Sequence, residues 1–346
     1  MAKRSASLLT PPHADDLAGL ATLAARLVSR PVENTLADAD IYRGLPRDVL
    51  FPDPPGVPEV VVRRRWALPG VVSDDLVFAS AHEVLEPRFR ARYERKYGAT
   101  HTVYARRIRP AGSRNRPRIL YLHGYMQPET LIEELVFLST LALYLGVEIV
   151  QLQPAHPGRR TTGGPDARLG GAFFWSADLV RSVEALRQTL LDARSLLAWM
   201  QQDDDRPVGV MGLSLGGALT SMLTCLEPRF AFSIPLIGHM DLEALIADAP
   251  VMAGTRRDLR RFGWTRRDFA AFVDDIGWHQ LKAQLPPGRI RIFAASDDRF
   301  FDPAVVERMW RDWGEPKIFW YPCSHMGFLP YVPDVAGRVR GFLDSL

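Results

Sequence analysis

Gly212-x-Ser214-x-Gly216 is the segment of this chain whose residue types and spacing most directly imply chemistry. The apolar run Val208-Gly209-Val210-Met211 leads into it and the small-residue run Gly217-Ala218-Leu219-Thr220-Ser221 leads out. The serine therefore falls at a sharp turn between a strand and a helix. A Cβ at either flanking glycine would obstruct so tight a turn. The turn lifts the hydroxyl above the sheet, and the N-terminus of the following helix directs amides at a developing negative charge. The chemistry implied is nucleophilic attack by a serine.

A serine hydroxyl is a weak nucleophile until a base takes its proton. In this arrangement the partners follow in the order acid, then histidine. His325, within Tyr321-Pro322-Cys323-Ser324-His325-Met326-Gly327, lies in a loop just after the last predicted strand and is the expected general base. His239 comes too early, and His279 falls within a helical insertion; both read as surface or capping histidines. The orienting carboxylate should end the preceding strand, where Ile290-Arg291-Ile292-Phe293-Ala294-Ala295-Ser296-Asp297-Asp298-Arg299-Phe300-Phe301 offers two. Asp298 is preferred, because Ser296-Asp297 then completes the turn and Phe300-Phe301 anchors the next segment. Asp297, otherwise a turn residue, and Asp241 stand as alternatives. The acid would hold the imidazole tautomer and stabilise the imidazolium without taking a proton itself.

The expected oxyanion donors are two backbone N–H groups, that of Leu215 and that of Tyr125 in the loop His123-Gly124-Tyr125-Met126. His123 precedes Ser214 and reads as a loop brace. No cofactor is called for, and no His/carboxylate pair has metal-ligand spacing.

These residues need a scaffold, and the hydrophobic pattern supplies one. Short apolar strands are predicted at 60–62, 102–108, 118–122, 147–152, 208–213, 230–237, 290–294 and 317–321. Helices are predicted at 129–144, 177–200 (long and amphipathic), 217–226, 303–313 and 334–343. The alternation implies an α/β fold with a mostly parallel sheet covered by helices on both faces. Such sheets carry their sites at the carboxyl ends of the strands, where Ser214, Asp298 and His325 fall.

Together these segments resemble the α/β-hydrolase superfamily over about residues 100–346. The resemblance implies an α/β-hydrolase fold and a serine hydrolase that cleaves a carboxylic ester through an acyl-Ser214 intermediate. Thioester hydrolysis, acyl transfer and a non-catalytic binding protein of the same fold are the alternatives it leaves open. Ser214 is unlike the aspartate that haloalkane dehalogenases and epoxide hydrolases carry at this turn, and the lone Gly124 departs from the HGGG-type loop of lipases and esterases. Gln153-Pro154-Ala155-His156-Pro157-Gly158-Arg159-Arg160, with Asp178 and Glu184 further on, resembles a branch of α/β-hydrolase-domain proteins whose eukaryotic relatives are linked to lipid ester metabolism. That likeness tilts the expected substrate toward a lipid or acyl ester.

Two regions fall outside the alternating core. Residues 1–58 read as an appendage to a catalytic domain spanning 59–346. In the appendage Leu17, Leu20, Leu23 and Leu27 form a helical stripe expected to dock, and five prolines follow between 46 and 58. The polar face of that helix lacks the Lys/Arg richness of a membrane-surface anchor, which leaves membrane contact unsupported. The second region, 242–286, is longer than a strand–helix connection requires and is expected to form a lid. Its Arg256, Arg257, Arg260, Arg261, Arg266 and Arg267 accompany Phe262, Trp264, Phe269, Phe272 and Trp278. Either these offer aromatic surface and guanidinium groups to an acyl chain with an anionic head, or the aromatics are core. In the second case the arginines pair with Asp258, Asp268, Asp274 and Asp275. Gly171-Ala172-Phe173-Phe174-Trp175 is core or pocket wall, and Arg159 and Arg160 read as solvated loop charges.

With 346 residues the chain can bury one large core. A net charge of +3 does not argue for nucleic acid, and no recognition motif is present. The expected partner is a small-molecule ester, and nothing in the sequence sets an oligomeric state. Pro11, Pro12, Asp15 and Asp16 interrupt any signal-peptide core, and no apolar run spans a bilayer. With only Cys225 and Cys323, both read as buried thiols, the expected location is cytoplasmic.

Overall fold

Every residue of the segment Arg118–Leu122 is buried, and alternate side chains go to opposite sides. Leu120 and Leu122 join one hydrophobic cluster, Ile119 and Tyr121 a second. A strand apolar on both faces must be covered on both. The computed structural model describes residues 13–27, 32–124, 134–156, 158–160, 174–202 and 204–346, and builds such a sheet around this strand.

Among the described residues there are nine strands: β1 (Val61–Leu68), β2 (Val71–Ala79), β3 (Thr102–Pro110), β4 (Arg118–Leu122), β5 (Glu148–Leu152), β6 (Val208–Leu213), β7 (Ser233–Leu236), β8 (Arg291–Ala295) and β9 (Lys317–Tyr321). Their order is β1-β2-β3-β5-β4-β6-β7-β8-β9. From β5 to β9 neighbours run parallel, while β1, β2 and β3 form an antiparallel edge. The helices are α1 (His13–Leu27), α2 (Arg47–Leu50), α3 (Pro87–Tyr97), α4 (Ser139–Leu145), α5 (Leu179–Gln201), α6 (Leu215–Leu226), α7 (Leu242–Asp248), α8 (Ala253–Arg261), α9 (Arg266–Ile276), α10 (Pro303–Asp312) and α11 (Val332–Leu343). This is the mostly parallel α/β architecture expected from the sequence. Among the described residues no helix is long and apolar enough to cross a membrane, and no group of three His, Cys, Asp or Glu could hold a metal ion.

Four expectations are corrected. The first concerns β2 and α3, which the hydrophobic pattern did not reveal. The middle of β2 is Ser73-Asp74-Asp75, which breaks the apolar alternation because its partners are charges. Asp74 accepts hydrogen bonds from Arg64 (2.7 Å), Arg107 (2.9 Å) and Arg109 (2.9 Å). Burial alone would raise its carboxyl, but the bonds from Arg64 and Arg107 hold it below the ordinary carboxylate range.

The second concerns α5, expected to be amphipathic and in fact buried around nearly its whole circumference. Its polar side is covered by the chain before β1 and the segment leading to β3. Glu184 accepts from Tyr42 (2.5 Å) and faces His82 (3.0 Å), while Arg187 bonds the Leu50 carbonyl (2.8 Å). The third is Arg160, which is fully buried rather than solvated. Its guanidinium donates to Asp192 (2.6 Å) and to the Gln153 and Thr100 carbonyls. Arg159 stays exposed, over the Tyr104 ring.

The fourth is the docking face of α1. Leu17 and Leu20 are 66% and 61% exposed, whereas Asp15, Gly19 and Thr22 face inward and Ala18 packs against the core. The cause is a close approach: a Cβ on Gly19 would sit 2.7 Å from Pro250, so only a small-residue face fits against that turn. Beyond α1, Tyr42, Leu50 and Phe51 enter the same cluster as β4 and α6. In the 242–286 segment Phe269, Phe272 and Trp278 are buried in that cluster. Arg257 pairs with Asp258, and Arg266 with Glu243 and Asp248.

Removing one partner of a fully buried ion pair strands the other charge, at a cost of about 3–5 kcal/mol. Asp192→Ala should therefore lower the unfolding free energy by about that amount in urea titration. The double variant Asp192→Ala, Arg160→Met should recover most of the loss, because no unpaired charge is then left behind.

Candidate active site

The strand β6 and the helix α6 meet at Ser214, whose backbone has φ 58° and ψ −116°. A side chain is costly in that region, and it persists only where the surroundings over-determine it. Here they do. The Ser214 N–H donates to the Leu236 carbonyl (3.0 Å), and its own carbonyl accepts from Ala218 (2.9 Å). A Cβ on Gly216 would lie 1.9 Å from the Leu122 carbonyl oxygen, and one on Gly212 would lie 2.2 Å from that of Gly216. Both glycines are thus required by backbone-on-backbone packing.

Ser214 Oγ lies 2.9 Å from His325 Nε2. His325 follows β9, and its Nδ1 lies 2.8 Å from Asp298 Oδ2. The other carboxylate oxygen of Asp298 accepts the N–H groups of Phe300 (2.7 Å) and Phe301 (2.8 Å), which aims Oδ2 at the imidazole. His325 and Asp298 are both buried, and the Phe300 ring packs on the imidazole at 4.5 Å between centroids. The structure thus brings Ser214, His325 and Asp298 into one hydrogen-bonded series. The alternatives to Asp298 lie elsewhere. Asp297 is exposed and bonds Ser296, while Asp241 caps α7 and pairs with Arg308.

Leu215 is the first residue of α6, so its N–H has no carbonyl one turn earlier to bond. Tyr125, expected to supply a second amide, lies outside the described residues, as does Met126. His123 is buried at the end of β4, with Nδ1 2.8 Å from the Gly124 carbonyl, and burial holds its imidazole below the ordinary value. His239 is buried rather than on the surface. Its Nδ1 accepts the Asp241 N–H, and burial lowers its pKa to about 4, so it stays neutral. His279 lies 3.6 Å from Asp274. Cys323, beside the histidine loop, is a free thiol pushed by burial up to about 12, and so is not a nucleophile at neutral pH; Cys225 is likewise free, buried and pushed up to about 12.

Ser214 and His325 open on a cavity of about 500 Å³. Its walls are mainly apolar and include Trp175, Leu215, Phe300 and Met326, with Leu245 and Met252 from the 242–286 segment. Phe174 is core, and 171–173 lie outside the described residues. One wall was missed from the sequence: Ala18, Ala21 and Thr22 of α1. Small residues on a helix carry no signal of what they face. The Asp15-Asp16 pair looked only like an interruption of an apolar stretch, and the acidic first turn of a helix was the one clue it offered.

Residues 179–244 match the family model described as alpha/beta hydrolase domain containing 18. The uncharacterized protein Rv2627c of Mycobacterium tuberculosis is 31% identical over 308 residues, covering 85% of this chain and 68% of that protein. Among solved structures, acetyl xylan esterase 1 from a Thermoanaerobacterium species has TM-score 0.58 at 17% identity, over 88% of this chain and 98% of its own. An acetyl xylan esterase from a Paenibacillus species has TM-score 0.59 at 16% identity, over 92% and 98%. At these identities the likeness is one of fold.

The strained backbone at Ser214 is itself measurable. Glycine adopts this conformation freely, so Ser214→Gly should be more stable than Ser214→Ala by about 1 kcal/mol, the relief of strain being partly offset by the looser unfolded chain. Thermal unfolding of the two variants side by side checks this, since both lack the hydroxyl. Equal melting temperatures would mean that the strain at the turn is no larger than that offset.

Proposed function

We propose that this chain, which belongs to the α/β-hydrolase superfamily and to one family with Rv2627c of Mycobacterium tuberculosis, hydrolyses a carboxylic ester through an acyl-Ser214 intermediate. The observation that carries the proposal is the series Ser214 Oγ, His325 and Asp298 Oδ2, at 2.9 Å and 2.8 Å, with Ser214 and His325 on the wall of an apolar cavity.

In this reading Ser214 Oγ attacks the ester carbonyl carbon as its proton passes to His325 Nε2. Asp298 keeps the Nδ1–H tautomer in place and stabilises the imidazolium. The carbonyl oxygen becomes an oxyanion facing the N–H of Leu215, with the N–H of Tyr125 proposed as the second donor. Collapse breaks the bond to the alkoxy group, which leaves as the alcohol with the proton from His325. Water then attacks the acyl-Ser214 carbonyl and gives a proton to His325. Breaking the acyl bond returns that proton to Ser214 and frees the carboxylic acid.

The apolar walls suit the acyl part of a lipid-type ester, and about 500 Å³ lies within the usual range for a small-molecule site. Within the proposed 59–346 catalytic unit, the 242–286 segment then serves as lid, contributing Leu245, Val251 and Met252 to the cavity. Catalysis by these groups requires no cofactor.

A fluorophosphonate probe should label the pure protein at Ser214, and labelling should be lost in Ser214→Ala and in His325→Ala. Absence of labelling in folded wild-type protein would leave a non-catalytic binding role instead. In an ester assay Asp298→Asn should lower kcat by about 10⁴, as a wrong imidazole tautomer does. Asp297→Asn should stay within a few-fold. A near-wild-type Asp298→Asn enzyme would move the orienting acid to another residue.

A further inference from the structure

The loops that carry Asp298 and His325 leave the sheet after β8 and β9, and a third element holds them together beyond the strands. Asp15, in the first turn of α1, is fully buried. Its Oδ1 accepts the Met326 N–H (2.9 Å). Its Oδ2 accepts the His325 N–H (3.0 Å) and the Arg299 N–H (3.2 Å). One carboxylate therefore ties the residue after the proposed acid to the proposed base itself. Asp16, beside it, makes only an exposed pair with the Arg299 guanidinium, which contributes little.

From that anchor α1 runs along the cavity. Ala18, Ala21 and Thr22 form a wall, and Gly19 rests on Pro250 at the edge of the 242–286 segment. The placement of the imidazole between Ser214 and Asp298 leaves little tolerance, since misplacing a catalytic group by 1 Å can cost about 10²-fold in rate. The ring is held by Phe300 and by its two hydrogen bonds. The backbone is held by the Phe328 N–H on the His325 carbonyl, by the Asp297 N–H on the Cys323 carbonyl, and, at the His325 N–H itself, by Asp15.

We propose that Asp15 is a positioning residue of the site, fixing the His325 loop against the Asp298 loop through its bonds to their backbone amides. The proposal rests on the Ser214–His325–Asp298 reading given above. It makes α1 part of the site rather than an attachment to it.

Inactivation of the full chain by a small alkyl fluorophosphonate separates binding of the probe (KI) from its reaction with Ser214 (kinact), with no substrate assumed. Asp15→Ala should lower kinact at least tenfold with KI within twofold, in protein that circular dichroism shows to be folded. Asp15→Asn, which keeps one acceptor oxygen and serves if the alanine variant does not fold, should show a smaller loss, again in kinact. Asp16→Ala should stay within twofold of wild type in both constants. Wild-type kinact in folded Asp15→Ala or Asp15→Asn, or a change confined to KI, would overturn the proposal and leave α1 a wall only. Failure of the underlying reading is distinct, because wild-type protein would then not label at Ser214 at all.

Discussion

Where α6 begins, its first turn lies so close to the end of β4 that no side chain fits between them: a Cβ on Gly216 would overlap the Leu122 carbonyl. That contact requires β4 and β6 to be parallel neighbours in register, with Leu122 opposite Gly212. It also forces Ser214 into its positive-φ conformation, which points the hydroxyl away from the sheet. The amide of Ser214 is then held by β7, through the Leu236 carbonyl. Three strands and a helix thus fix one side chain. The loops after β8 and β9 need only bring a carboxylate and an imidazole to a point already defined.

Around that rigid centre the protein spends many charges inside. α5 buries Glu184, Arg187, Asp192 and Arg194, and each is met by a partner from elsewhere in the chain. Buried charges that lack a partner are strongly destabilising, so such a network tolerates little change in its geometry. Asp74 and its three arginines do the same for the antiparallel edge. In both places polar side chains do the packing that hydrophobic side chains do around β4.

How far the sequence discloses all this depends on how local each signal is. The turn at Ser214 was readable because strand, glycines and helix are contiguous. Asp298 could be chosen over Asp297 on the grammar of one turn, and the structure places Asp298, not Asp297, at His325. The alternation of apolar strands with helices gave the sheet. What stayed hidden depends on distant partners. Asp74 in β2 reads as a break until Arg64, Arg107 and Arg109 stand beside it, and Arg160 reads as a solvated charge until Asp192 meets it. The leucine stripe of α1 misled for a related reason. A helix that must approach backbone closely docks by its smallest residues, and hydrophobic periodicity gives those no weight.

The bond between Asp15 and the His325 amide spans 310 residues, and it has a bearing on how the molecule comes into being. Contacts of such separation form only after the intervening chain has largely collapsed, because loop closure must be met before the contact rewards it. On the ribosome, α1 emerges long before the strand whose loop it will hold. A growing chain can therefore fold its early strands, and even present Ser214 at its turn, with neither the histidine nor its anchor in place. On the reading proposed, the serine stays unreactive throughout synthesis, and reactivity arrives as one of the last events of folding.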